Sequence, residues 1–240
     1  MVKIRRDEIP NLPPVFARAI RCETRRLVDL LEKTRHSPNP KHVHRLRVCI
    51  RRLRTYLWIL RGKSERSRLE KELRSLAHRL GDLRDVDVVR EILVPTDGLR
   101  SLRRERREKV LKKLKRKKVQ RLRRLASDLS LPAGRPTGLR RLERKLQAWS
   151  RRPDYSPRGV HELRIDVKKA RYALEALGGP TTSLARLQDA LGKAHDLDLV
   201  ASLGERPPSP ASRRDALRAV KRIAGPTLAN SRVRLRQAAS

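Results

Sequence analysis

The chain has 240 residues, enough to bury a sizeable core as one large domain or two modest ones. Lys and Arg number 62 against 26 Asp and Glu, a net charge of +36. A compact body so charged repels itself, which calls for a polyanionic partner: nucleic acid, an anionic membrane surface or polymeric phosphate. Aromatic residues are only 2% of the chain (Phe16, Tyr56, Trp58, Trp149, Tyr155 and Tyr172), too few for a base-stacking platform, so an anionic partner is met by charge alone.

From the N-terminus, Met1 to Pro14 carries acids and prolines but no apolar signal core, and the longest rich apolar run is Tyr56 to Leu60. Neither a signal peptide nor a membrane span is predicted. Cys22 and Cys49 form no CxxC or Cys/His cluster, which argues against zinc and against a disulfide framework and suits a reducing cytosol.

High charge with few aromatics suggests disorder at first, but apolar periodicity opposes it. Leu46, Ile50, Leu53, Leu57 and Leu60 recur at alternating spacings of 4 and 3, as one buried helical stripe does. Leu27, Leu30 and Leu31 form a similar stripe, as do Leu69, Leu73, Leu76 and Leu80, and Leu163, Val167, Ala170, Leu174 and Leu177. No segment sustains a period of two. Pro and Gly clusters divide the chain into eight predicted helices, 13–36, 41–61, 64–94, 98–128, 138–151, 157–178, 182–203 and 211–237, with Gly225 and Pro226 interrupting or kinking the last. Short loops between eight helices predict an all-α fold of two four-helix bundles, 13–130 and 136–240.

The two halves repeat each other. Residues 43–57 match 160–174, with His44/His161, Leu46/Leu163, Arg47/Arg164, Arg54/Arg171 and Leu57/Leu174 identical and Arg51/Lys168 and Arg52/Lys169 alike in charge. Residues 80–89 then match 191–200, retaining Gly81/Gly192, Asp85/Asp196 and Asp87/Asp198. Two blocks in the same order point to duplication of a four-helix unit and to pseudo-symmetric halves.

On a helix His44, Arg47, Arg51 and Arg54 fall within roughly 80° of one another, beside the apolar stripe and not opposite it; His161, Arg164, Lys168 and Arg171 do the same. Cations at the edge of a core rim a groove of lowered dielectric, where they attract an anion more strongly than at the open surface. The span from His44 to Arg54 is about 15 Å. Arg supplies bidentate donors for phosphate oxygens, Lys a point charge, and His a donor whose charge depends on pH. The bland alternative, common surface cations and two packing histidines, loses ground because the pattern occurs twice. Asp85 and Asp196 fit either a role orienting the groove cations or a structural ion pair. Capping does not explain both, since Lys193 replaces Asp82, and Asp-x-Asp on one helix is a poor metal site. Residues 100–124 hold fifteen Lys or Arg and two Glu. They read as a solvated face, a polyanion strip or, least, a lipid-binding helix.

These blocks, His44-x-x-Arg-Val-x-x-Arg-Arg-Leu-Arg54 with Leu80-Gly-x-x-Arg-Asp-x-Asp-Val88, and His161-x-Leu-Arg-Ile-x-x-Lys-Lys-x-Arg-Tyr172 with Leu187-Gln-Asp-x-Leu-Gly192, resemble the CHAD domain, the conserved-histidine α-helical domain. The likeness runs from about Phe16 onward. It implies an all-helical pair of pseudo-symmetric bundles that bind inorganic polyphosphate. The implied contacts are His44, Arg47, Arg51, Arg52, Arg54, His161, Arg164, Lys168, Lys169 and Arg171. Arg52 and Lys169 lie off the tight face and are assigned by the motif alone. His195 stands where the first half has Arg84, a departure from symmetry. Many relatives add a triphosphate-tunnel catalytic domain, whose Glu-x-Glu-x-Lys signature is missing from these residues, as are a Gly-rich phosphate loop and a nucleophile elbow. The expectation is a cytoplasmic, non-enzymatic polyphosphate binder without cofactor, in which both faces line one continuous groove, placed at polyphosphate granules and taking other polyanions at low salt. The alternative is a basic, nucleic-acid-associated structural protein, against which no DNA-reading motif is found.

Overall fold

The computed structural model describes residues 14–61, 68–93, 96–129, 137–203 and 209–239. These residues are helical with no strand among them, in nine helices: α1 (Pro14–His36), α2 (Pro40–Arg61), α3 (Arg68–Ile92), α4 (Asp97–Lys113), α5 (Arg116–Ser127), α6 (Thr137–Arg151), α7 (Pro157–Ala176), α8 (Thr182–Leu203) and α9 (Pro210–Ala239). The predicted starts at 13 and 64 fall outside the described residues. The chain divides into two compact units, up to Arg135 and from Pro136.

In the first unit α1 packs on α2, α2 on α3 and α3 on α4, and α5 returns to α1 and α3. Apolar stripes drive this arrangement. Leu46, Ile50, Leu53, Leu57 and Leu60 of α2 are buried with Phe16, Ile20, Leu27 and Leu31 of α1 and Leu69, Leu73, Leu76, Leu80 and Leu83 of α3. Phe16 and Tyr56 meet edge to face at 6.2 Å between ring centroids.

One helix expected over 98–128 is two. Val110 and Leu114 are buried in and just after α4, and Val119, Leu122 and Ala126 in α5. On an unbroken helix the second set would lie on the far side from the first, because the spacing from Leu114 to Val119 is five. Extended backbone at Lys115 (φ −55°, ψ 143°) resets the phase, so both sets face inward. The break also relieves a run of cations from Lys112 to Lys118 interrupted only by Leu114, whose charges would stack at i,i+3 and i,i+4.

In the second unit α6 packs on α7, α7 on α8 and α8 on α9, and α9 closes back on α6. Ser156 caps α7, accepting from the Gly159 N–H at 3.1 Å, and Pro157 opens the helix. The predicted end at 178 moves back to Ala176 because Gly178, at φ +72°, reverses the chain. Gly179 N–H then reaches the Leu174 carbonyl at 2.8 Å and Gly178 N–H the Glu175 carbonyl at 3.3 Å, a Schellman closure. Of the interruption or kink expected in the last helix, the interruption is not found, since α9 continues through Pro226. Gly225, Pro226 and Arg222 are exposed, so water can serve the Arg222 carbonyl that proline leaves unpaired, while Val220, Ala224, Leu228 and Leu235 bury the other face.

Candidate functional site

In the first unit α2 carries His44, Arg47, Arg51 and Arg54, and of these His44 and Arg47 meet α3. Partial burial lowers the His44 pKa from its ordinary value, and the charges of Arg84 on α3 and of Arg47 and Arg51 lower it further, while Glu91 opposes them. Arg84 is itself held by Glu91 through two bonds of 2.6 and 3.0 Å. Arg47 reaches across to Gly81 of α3, where a Cβ would lie 3.9 Å from its Nη2. His44 is exposed, whereas Arg47, Arg51 and Arg54 are half-buried.

In the second unit His161 and His195, from α7 and α8, stand with ring centroids 5.2 Å apart. Burial lowers the His195 pKa to about 4, with Arg164, His161 and Lys168 adding to the effect and Asp198 opposing it. Lys168 is buried at 7% exposure, and Arg171 donates to the Gln188 Oε1 at 3.2 Å. Position 84 and its counterpart 195 therefore do the same geometric job, setting a second basic group against the motif histidine. The chemistry differs: a permanent guanidinium in one unit, a titrating imidazole in the other.

Arg52 and Lys169 lie elsewhere. Arg52 donates to Glu23 of α1 at 3.2 Å, beside Arg26. Lys169 meets Asp166 at 3.2 Å, a buried carboxylate that also receives Lys145 at 3.0 Å and Trp149 Nε1 at 3.2 Å from α6. In each unit the off-face cation thus serves a buried acid on the opposite flank of the helix. Asp85 and Asp196 are half-buried on α3 and α8, and both take part in polar or electrostatic interactions.

A matched pair of clamps escaped sequence reasoning. Arg103 of α4 donates Nε to Asp87 at 2.7 Å, and Arg213 of α9 donates Nε to Asp198 at 2.6 Å. The second acid of each Asp-x-Asp therefore holds the following helix. Its retention in both halves was the available signal, but the arginine partner lies outside the repeated blocks. Among the described residues no group of three or more His, Cys, Asp or Glu could hold a metal, and no helix is long and apolar enough to cross a membrane. Cys22 is exposed, and Cys49 is buried against the Glu23 carbonyl at 3.3 Å.

The family model described as the CHAD domain matches residues 18–205. The chain belongs to the CHAD family. Both histidine faces lie inside the matched span, and its fold is like that of a CHAD domain from the plant Ricinus communis, known from its crystal structure. That likeness has a TM-score of 0.64 at 22% identity and covers 98% of this chain and 91% of the plant one. No curated protein matches the chain.

Proposed function

We propose that this CHAD protein binds inorganic polyphosphate, without catalysis, through the His44–Arg47–Arg51–Arg54 face of the first unit and the His161–Arg164–Lys168–Arg171 face of the second. On this reading the units are duplicated four-helix bundles, with α4 and α5 together standing for the fourth helix of the first.

The observation that carries the proposal is the electrostatic state of His44 on the first face and of His195, which stands against His161 of the second. His44 and His195 are both pushed toward their neutral forms by neighbouring cations as well as by burial. Surplus positive field at the edge of a core favours a dense, flexible anion. With few rings for base stacking, charge density and shape would select the ligand, and phosphate oxygens suit the guanidinium fork. Asp85 and Asp196 would steady these cations, and Arg52 and Lys169 would contribute chiefly through the folds they hold.

The test is a gel-shift series with long-chain polyphosphate, duplex DNA and heparin at matched charge across several salt concentrations. Affinity for polyphosphate should fall steeply with salt, as counterion release requires, and DNA should compete poorly at moderate salt. Replacing Arg47 and Arg164 together by Ala should weaken polyphosphate binding roughly tenfold or more, against a small loss for Lys117→Ala with Lys118→Ala on exposed α5. Equal losses would mean general charge and no site, and strong competition by DNA would favour a nucleic-acid-associated protein. Phosphate release from polyphosphate with Mg²⁺ or Mn²⁺ present would overturn the non-catalytic part.

A further inference from the structure

On α4, Arg100, Arg103, Arg104 and Arg107 recur at i, i+3, i+4 and i+7, the places an apolar stripe normally takes on a packed helix. With Arg90 from the last turn of α3 they line an open pocket of about 290 Å³. Two of the five have acids: Arg103 is held by the buried Asp87, and Arg100 pairs with the exposed Asp97 at 2.7 Å. Among the described residues no ion pair engages Arg90, Arg104 or Arg107, and the Arg90 Nε is shut away from water without an acceptor. Several unmatched guanidinium groups around one small space repel one another unless an anion enters.

This place is separate from the His44 face. Arg84 and Glu91, which neighbour His44, share one flank of α3, and Arg90 lies roughly 120° round that helix, toward the side where Asp87 takes Arg103. Among the described residues the lining is all arginine, with no aromatic or aliphatic side chain to hold a base, a sugar or an acyl group. The volume is at the lower limit of small-molecule pockets. Compact, multiply charged and purely inorganic anions match it.

We propose that the α3–α4 pocket of the first unit is a second, discrete site for a short inorganic oligophosphate of the size of tripolyphosphate, gripped by Arg90, Arg104 and Arg107, with Arg100 at its mouth and Arg103 fixed by Asp87. The long-chain reading above uses other residues, so each can fail without the other.

Calorimetric titration of the full chain with tripolyphosphate at about 0.15 M salt tests it. Arg104 and Arg107 are exposed, so Arg104→Ala with Arg107→Ala should leave the circular dichroism spectrum and melting temperature close to those of the parent. The pair should weaken tripolyphosphate binding roughly tenfold or more and leave long-chain binding nearly intact. Lys117→Ala with Lys118→Ala removes the same charge from α5 and should change tripolyphosphate binding by less than about twofold. Equal losses in those two variants would overturn the pocket. So would a loss confined to Arg47→Ala with Arg164→Ala, which would put tripolyphosphate on the histidine faces. Tripolyphosphate binding that depends on Arg104 and Arg107 in a protein that ignores long chains would uphold the pocket and sink the long-chain reading.

Discussion

His195 should make the ligand-free protein sensitive to mild acid. Its ring binds a proton less well in the folded second unit, with a pKa of about 4, than in the unfolded chain, where the ordinary value is 6.5. As pH falls below about 6.5 the unfolded chain takes the proton first, so folded stability declines down to about pH 4 and the penalty is constant below that. At ~1.36 kcal/mol per unit the full depression corresponds to ~3.4 kcal/mol. The ring is only half-buried, and solvent screening of the Arg164, His161 and Lys168 charges reduces the expected loss to ~1–2 kcal/mol. The assay is urea unfolding at steps from pH 7 to pH 4, comparing the parent with His195→Gln, whose difference removes the common contribution of carboxylates. A polyanion on this face would reverse the sign for binding: by favouring the protonated ring it should bind more tightly as pH falls, with proton uptake that His195→Gln diminishes. Parallel stability profiles for the two proteins would refute the reasoning, because they would show that burial and the neighbouring cations do not hold this ring neutral.

Two further substitutions probe the scaffold behind the faces. Asp87→Ala should destabilise the first unit by ~1–3 kcal/mol, since it removes the buried acceptor of the partly buried Arg103, and Asp198→Ala should cost less because Asp198 is more exposed; thermal melts of the two variants check the order. Gly159→Ala should lower the melting temperature, at a cost of ~1–3 kcal/mol, because the new Cβ would press on the carboxyl carbon and backbone carbonyl of Asp154 at the entrance to α7, and an unchanged melt would show that this entrance yields freely.

Helix content, the duplicated blocks and the grouping of His44 with Arg47, Arg51 and Arg54 were all legible in the sequence. The blocks show as identities between two stretches of the chain, and the helices and the grouping depend on spacing within about four turns of one helix, which the 3.6-residue period makes a statement about faces. The same rule separated Arg52 and Lys169 from the others before any partner was known. It did not show that the helix after Asp97 breaks at Lys115, because the burial of Val119 and Leu122 depends on α1 and α3, which α5 turns to meet.

Ion pairing was the part that only tertiary structure decided. With 62 cations and 26 carboxylates, nearly every acid has several basic candidates, and local order cannot choose among them. Packing chose Arg103 for Asp87 and Arg213 for Asp198, and brought Lys145 and Trp149 from α6 to Asp166. It also set Arg84 and His195 against the motif histidines. The sequence by itself determined how much positive charge there is and which helix faces carry it. The fold decided which of those charges have acids and which do not, because Coulomb attraction is settled by distance through space and by burial, neither of which is local to the chain.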